Sequence, residues 1–267
     1  MIRLLKIEFH KILFSRTFWI ILGLYVVLLA PIAFGFENIL DSISFGKGRH
    51  QPQMASMLLQ GFTVFEFPGV WHNMAYLASW FKLLLAVIIV ILVTNEYSYK
   101  TLRQNIIDGM SKWEIIWAKE LIILILSVIA VILLIALTLL LGIPQDDINV
   151  FSGSGIVFAY FVSLILYLNF AYFLSSWLKK AGFAIGILFL YTIVIENVIS
   201  FKLPESITRF FPMNLISNMI PNPLRKIVGQ SVESDFSILN VVVCIFYVIL
   251  FITLNYWMLK KGHAAKQ

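Results

Sequence analysis

The sequence predicts an all-α membrane protein with six transmembrane helices, and three observations indicate this fold class. Hydrophobic residues make up 60% of the chain and charged residues only 13%, against about 25% charged residues in soluble domains. The mean hydropathy is +0.91. Six apolar runs are long enough to cross roughly 30 Å of hydrocarbon as helices, and they lack the alternation of barrel strands. We therefore expect a single transmembrane domain over residues 1–267.

The N-terminal segment, residues 1–16, is expected to form an interfacial helix before the first span. Its apolar side chains recur on one helical face; they are Ile2, Leu5, Phe9, Ile12 and Leu13. The first span, Phe18–Phe36, follows basic residues as the core of a signal peptide does. Its apolar run is longer than the usual h-region of about 7–15 residues and has no clear A-x-A cleavage site, so we expect an uncleaved helix.

The other five spans are predicted from their apolar composition in the same way. They are Tyr76–Thr94, Ile115–Ile143, Ile156–Trp177, Gly182–Phe201 and Phe236–Met258. Most lysines and arginines fall on the side of both termini, which places both termini in the cytoplasm. The basic residues on that side are Arg3, Lys6, Lys11, Arg16, Lys100, Arg103, Lys112, Lys119, Lys179, Lys180, Lys260, Lys261 and Lys266. The segment 202–235 does not fit this rule, because it carries four basic residues on the opposite side.

Two ionisable residues, Lys82 and Glu196, lie inside predicted spans, where a charge is costly and often functional. Each lies a similar distance from the outer end of its helix. Three interpretations are open. Lys82 extends to the outer interface while Glu196 reaches water or a backbone donor near Asn197; the two form an intramembrane ion pair; or they contact a substrate.

The charged segment between the second and third spans, residues 95–112, is expected to form a short cytoplasmic helix. Its apolar residues recur at helical spacing; they are Leu102, Ile106, Ile107 and Met110. Gly109 is predicted to end this helix, and Ser111 and Glu114 have the spacing of a capping box that starts the next one. By itself, the pattern also fits an interfacial helix that rests on anionic lipid.

The sequence lacks the motifs of several function classes. It has no G-x-x-x-x-G-K-[ST] loop and no H-E-x-x-H motif. Its four histidines lie outside the hydrocarbon core and Cys244 is the only cysteine, so we expect no intramembrane haem or zinc site and no disulfide framework. We therefore expect neither catalysis nor a cofactor in this chain. The net charge of +6 is attributed to membrane topology rather than to nucleic-acid binding.

The segment between the second and third spans resembles that of permease subunits of ABC transporters of the ABC-2 class, six-helix exporters also called type V. Those permeases carry E-x-x-x-G-T-x-[RK], then [GP]-x-S-[RK], then a lysine. The matching residues are Glu96, Thr101, Arg103, Gly109, Ser111, Lys112 and Lys119. The sequence departs at Lys100, where the family often has glycine, and at Lys112, where arginine is commoner. In outline the resemblance covers the whole chain, including segment 202–235, where the family places short extracellular or re-entrant helices.

The resemblance implies a division of labour between subunits. Two permease chains, identical or different, would pair in the lipid of a bacterial plasma (inner) membrane, and two cytoplasmic ATPase subunits would supply ATP, Mg²⁺ and hydrolysis. The helix between the second and third spans would be a coupling helix that docks on the ATPase. Its expected coupling residues are Glu96, Lys100, Thr101, Leu102, Arg103, Ile106, Ile107, Met110, Ser111 and Lys112.

Individual roles at this coupling site follow from the same resemblance. Glu96 and Arg103 are expected to set the shape of the connection and to contact the ATPase. Thr101 and Ser111 are expected to cap backbone groups.

A secondary transporter or channel that works alone is the alternative function. Such carriers often have internal repeats and helices broken within the membrane, but the sequence has no convincing repeat, and Pro31 is the only proline well inside a predicted span. No residue selects among lipids, glycans, peptides, drugs and ions as cargo. Export as the direction of transport follows from the resemblance alone.

Overall fold

The computed structural model describes residues 11, 14–29, 67–142, 149–220, 222–223 and 238–264, and these residues form helices and turns without a β-strand. The helices are α1 (Arg16–Leu29), α2 (Gly69–Ser98), α3 (Thr101–Ile107), α4 (Lys112–Leu141), α5 (Gly155–Leu178), α6 (Ala181–Lys202), α7 (Glu205–Thr208), α8 (Pro212–Met219) and α9 (Ile238–Ala264). Five of them, α2, α4, α5, α6 and α9, are long and apolar enough to cross a membrane. The chain is therefore a multi-pass membrane protein of helical architecture.

Five of the six predicted spans coincide with these long helices. The largest difference is in α2, which begins at Gly69 rather than at Tyr76. The predicted first span is described only as far as Leu29, and its remainder lies outside the described residues. Most of the predicted interfacial helix, residues 1–16, also lies outside them.

Helix α5 lies at the centre of the bundle, where it packs against α2, α4, α6 and α9. Residues 166–172 are all buried, and because they cover almost two turns, no face of this stretch reaches the surface. In contrast, only 17% of the most apolar part of α6 and 22% of that of α9 are buried. These two helices therefore lie at the periphery, with broad apolar faces open to lipid or to another chain.

The connection between α2 and α4 differs from its predicted form. Helix α2 continues to Ser98, so the expectation that the short helix begins at residue 95 is wrong. Lys100 has a left-handed backbone conformation with φ of +59°. This residue therefore separates α2 from α3 and changes the direction of the chain between them. Helix α3 therefore has only seven residues. Lys100 is the position where the ABC-2 pattern often has glycine, the residue that takes this conformation most readily.

The end of α3 and the start of α4 agree with the sequence. Gly109 has φ of +91°, as expected of a residue that ends a helix. Ser111 and Glu114 form the predicted capping box at the first turn of α4. Both predictions are confirmed.

Segment 202–235 is described in part, and that part contains α7 and α8. Helix α8 begins with Pro212. Proline is favourable there because it has no backbone N–H, and the amides of the first helical turn have no partner within the helix. The preceding helix, α6, includes one π-helical turn over Tyr191–Ile195. This turn directly precedes Glu196.

Candidate functional site

Helix α3 connects two spans, and none of its residues is buried. Arg103 and Gln104 are exposed, and Ile107 is 70% exposed. Leu102 and Ile106 are only half-buried. The predicted apolar face is therefore divided, and the outward surface of α3 includes one basic residue, Arg103, and one exposed isoleucine, Ile107.

The capping box holds α3 and α4 at a defined turn. The Ser111 hydroxyl oxygen accepts a hydrogen bond from the Glu114 amide at 3.2 Å. The Glu114 carboxylate in return accepts bonds from the Ser111 amide and hydroxyl, each at 2.9 Å. These reciprocal bonds satisfy amide groups that the first turn of a helix leaves without partners.

Beside α3, a buried ion pair joins the end of α2 to the beginning of α4. Lys119 Nζ lies 2.5 Å from Glu96 Oε1, and the two residues are 3% and 5% exposed. Lys11 Nζ lies 3.3 Å from the same carboxylate oxygen, so a residue before α1 also contacts Glu96. A buried charge without its partner is strongly destabilising, and the pair therefore holds both spans together where α3 emerges.

One expectation for this site stays a prediction and another needs correction. Glu96 was expected to contact the ATPase; its carboxylate is buried beside Lys119 and Lys11, and the contact with an ATPase stays a prediction. Its expected role in the shape of the connection is consistent with the pair. Thr101 was expected to cap backbone groups, but no side chain caps α3. Because Lys100 is left-handed, Thr101 is the first helical residue and occupies no capping position.

Further contacts on the same side of the bundle were not predicted. Lys179 Nζ lies 5.6 Å from the centroid of the Tyr97 ring, which links the end of α5 to α2 through a cation–π contact. The Trp113 and Tyr256 rings stack at 4.3 Å, which links α4 to α9. Aromatic residues near helix ends were the only sequence signal for these contacts.

Lys82 and Glu196 do not form the direct ion pair that was one of three interpretations. Glu196 is 1% exposed, and its carboxylate accepts hydrogen bonds from the Met213 amide at 3.1 Å and the Asn214 amide at 2.6 Å. Lys82 Nζ instead lies 5.0 Å from the centroid of the Tyr167 ring. Glu196 thus has backbone donors, but they belong to α8 rather than to the neighbourhood of Asn197.

Two cavities lie between the described helices. A cavity of about 200 Å³ beside Glu96 is lined by residues of α1, α2 and the start of α3. An apolar cavity of about 470 Å³ lies between Trp71, α4 and α5. Among the described residues, no three His, Cys, Asp or Glu side chains lie close enough together to hold a metal ion.

Comparison with known proteins adds a family without a stated activity. A family model described as "Protein of unknown function (DUF2705)" matches residues 59–263. The match begins before α2 and includes almost all of α9. No curated protein matches the chain.

Proposed function

We propose that this chain, which belongs to the DUF2705 family, is the permease subunit of an ATP-driven exporter and is coupled through α3 to a separate ATPase. The observation that carries the proposal is the buried Glu96–Lys119 pair. It joins α2 and α4 beside an exposed helix of seven residues. This arrangement suits a device that passes force from a soluble partner to two membrane helices at once.

Rigidity is the physical requirement for such a device. A rigid helix on short connections transmits a displacement, whereas a flexible loop absorbs it. The capping box supports rigidity at the α4 end, and a hydrogen bond from the Gln104 amide to the Lys100 carbonyl at 3.2 Å supports it at the α2 end. A push on α3 would therefore move both spans.

The outward surface of α3 has the composition of a small docking site. Ile107 offers an apolar side chain for burial, and Arg103 offers a charge that sets the register of docking. Interfaces commonly combine an apolar centre with charges that select the partner. The proposed partner is a cytoplasmic ATPase that binds ATP and Mg²⁺, while this chain binds neither.

The proposed assembly places six spans with both termini in the cytoplasm of a bacterial plasma membrane. The open apolar faces of α6 and α9 leave room for lipid and for a second permease chain, identical or different. Their low burial is compatible with a second chain on these helices, and lipid would cover whatever apolar surface that chain leaves uncovered.

The first test is purification of the chain from its native membrane in mild detergent. We expect a soluble ATPase to copurify and to hydrolyse ATP faster in the presence of the chain. Arg103→Glu is expected to reduce ATPase binding or stimulation about tenfold or more, because like charges at an interface repel.

The matched control is Lys202→Glu, which reverses an exposed charge at the far end of α6. This variant should retain normal coupling, and both variants should retain normal thermal stability. Normal binding and stimulation by Arg103→Glu would exclude the role given to Arg103. Reproducible absence of any ATPase would instead favour a transporter or channel that works alone.

A further inference from the structure

Glu196 connects two elements that are distant from α3. It belongs to α6, and both of its carboxylate oxygens accept backbone hydrogen bonds from the first turn of α8, at 3.1 Å from Met213 and 2.6 Å from Asn214. The amide groups at the start of a helix lack partners within the helix and carry partial positive charge. A buried carboxylate at this place therefore satisfies the helix and is itself stabilised.

A second contact ties the same turn of α8 to α6. The Asn214 side-chain amide donates to the Ser200 hydroxyl oxygen at 2.6 Å and to the Thr208 carbonyl at 3.0 Å. The rest of α8 buries apolar side chains, including Leu215, Ile216 and Met219, against α5 and α9. The polar anchors thus lie at one end of α8 and the apolar contacts along its length.

Helix α6, which carries Glu196, contains a turn at which its two parts can rotate relative to each other. The π-helical turn Tyr191–Ile195 directly precedes Glu196, and such turns hold one residue more than a regular turn and often occur at functional sites. Conversion to regular α-helix would rotate Glu196 by about 100° relative to the preceding part of α6. Such a rotation takes the carboxylate away from the amides of α8.

We infer that Glu196 is a latch that holds α8 against α5, α6 and α9, and that the π-helical turn is the hinge that releases it. The latch is defined by the Glu196 bonds to Met213 and Asn214. Other groups near the carboxylate are the Tyr191 hydroxyl, Lys82 and Tyr247. Lys82, which lies over the Tyr167 ring without a direct ion pair, is the cation available to attract Glu196 after release.

The protein contains its own reporter for this movement. Cys244, the only cysteine of the chain, lies in α9, and its sulfur is 3.8 Å from the sulfur of Met219 at the end of α8. Cys244 is 1% exposed. Displacement of α8 would uncover the thiol, so the rate of its modification reports how often the latch opens.

The experiment measures the labelling rate of Cys244 by N-ethylmaleimide in the full chain, reconstituted in lipid nanodiscs. Glu196→Gln is expected to label about tenfold faster or more, because a neutral amide oxygen replaces a charged acceptor that binds two donors. The matched control is Val198→Ala, which shortens a side chain of the same helix that is 53% exposed, and it should label within about twofold of the unchanged protein.

Size-exclusion chromatography and thermal unfolding show whether Glu196→Gln is folded. A second variant tests the same end of α8 if it is not. Asn214→Ala removes the bonds to Ser200 and Thr208 but leaves Glu196 its amides, and it is expected to label about threefold faster, since it loses only neutral hydrogen bonds. Labelling of folded Glu196→Gln and Asn214→Ala at the rate of Val198→Ala would overturn the inference. This readout needs no ATPase, so failure of the latch and failure of the proposed function are observed separately.

Discussion

Glu196 shows how a single buried residue can be recognised from the sequence while its partner cannot. A carboxylate inside an apolar run has to find donors, and the bundle supplies them from the first turn of α8. An ion pair with Lys82 would have satisfied the same requirement. Backbone amides of α8 bind the Glu196 carboxylate instead, because α8 folds back so that its N-terminus faces α6.

This arrangement predicts the outcome of a charge exchange between positions 82 and 196. Glu196→Lys places a cation against two amide donors that need an acceptor, and the loss of hydrogen bonds to a charged group costs about 1.5–3 kcal/mol. Addition of Lys82→Glu should not restore the lost stability, because the amides of Met213 and Asn214 remain without their acceptor. Thermal unfolding of the two single variants and the double variant is the measurement, and recovery by the double variant would show that a direct pair matters after all.

At the scale of the element, α3 is held by features with different origins. The capping box is local, since Ser111 and Glu114 are three residues apart and bond to each other's backbone. The left-handed Lys100 at the other end is also local, yet neither its type nor its spacing predicts it. A left-handed lysine pays a conformational cost of roughly 1–2 kcal/mol, so the surrounding turn has to hold it in place.

Two hydroxyl deletions distinguish a true cap from an apparent one. Ser111→Ala should lower the free energy of unfolding by about 1 kcal/mol, the usual loss for a helix cap. Thr101→Ala should change it by less than about 0.5 kcal/mol, because no side-chain cap exists at the start of α3. Unfolding in detergent and amide hydrogen exchange of residues 112–115 measure both effects. Equal losses in the two variants would mean that Thr101 caps the turn.

At the scale of the whole molecule, contacts on the α3 side join helices that are distant in sequence. Glu96 and Lys119 join α2 to α4, Tyr97 and Lys179 join α2 to α5, and an aromatic stack joins α4 to α9. Helix α5 fills the centre of the bundle, so these contacts close the bundle around it. Force applied at α3 would therefore spread over four spans rather than one.

The Glu96–Lys119 pair allows a quantitative test of this closure. Glu96→Gln alone should destabilise the protein by about 3–5 kcal/mol, because it removes the carboxylate that the buried Lys119 and Lys11 both face. Lys119→Met alone should cost less, because Lys11 remains 3.3 Å from the Glu96 carboxylate. The double variant should recover a large part of this loss, since no buried charge remains between the two helices. A double-mutant cycle from thermal unfolding measures the coupling, and strictly additive losses would mean that the two side chains act independently.

The predictions that the structure confirms depend on short stretches of chain. Five spans follow from the length and composition of apolar runs, and Gly109 and the Ser111–Glu114 box follow from rules that act over one helical turn. The helix at residues 95–112 was predicted too long, because the spacing of its apolar residues gives no sign of the turn at Lys100. The burial of Glu96 was not predicted, because the family resemblance does not say whether a matching charge is buried or exposed.

Composition and the length of the apolar runs are enough to predict a multi-pass helical membrane protein, because α-helices that span the hydrocarbon layer have to be long and apolar and satisfy their own backbone groups. Which charged and polar groups meet depends instead on the tertiary structure. Glu96 lies 23 residues from Lys119 and Glu196 lies 18 from Asn214, so both contacts depend on how separate helices rotate and pack. The rotation and packing of each helix depend on many side chains together. For this reason the pair beside α3 and the latch at α8 are visible only in the folded bundle.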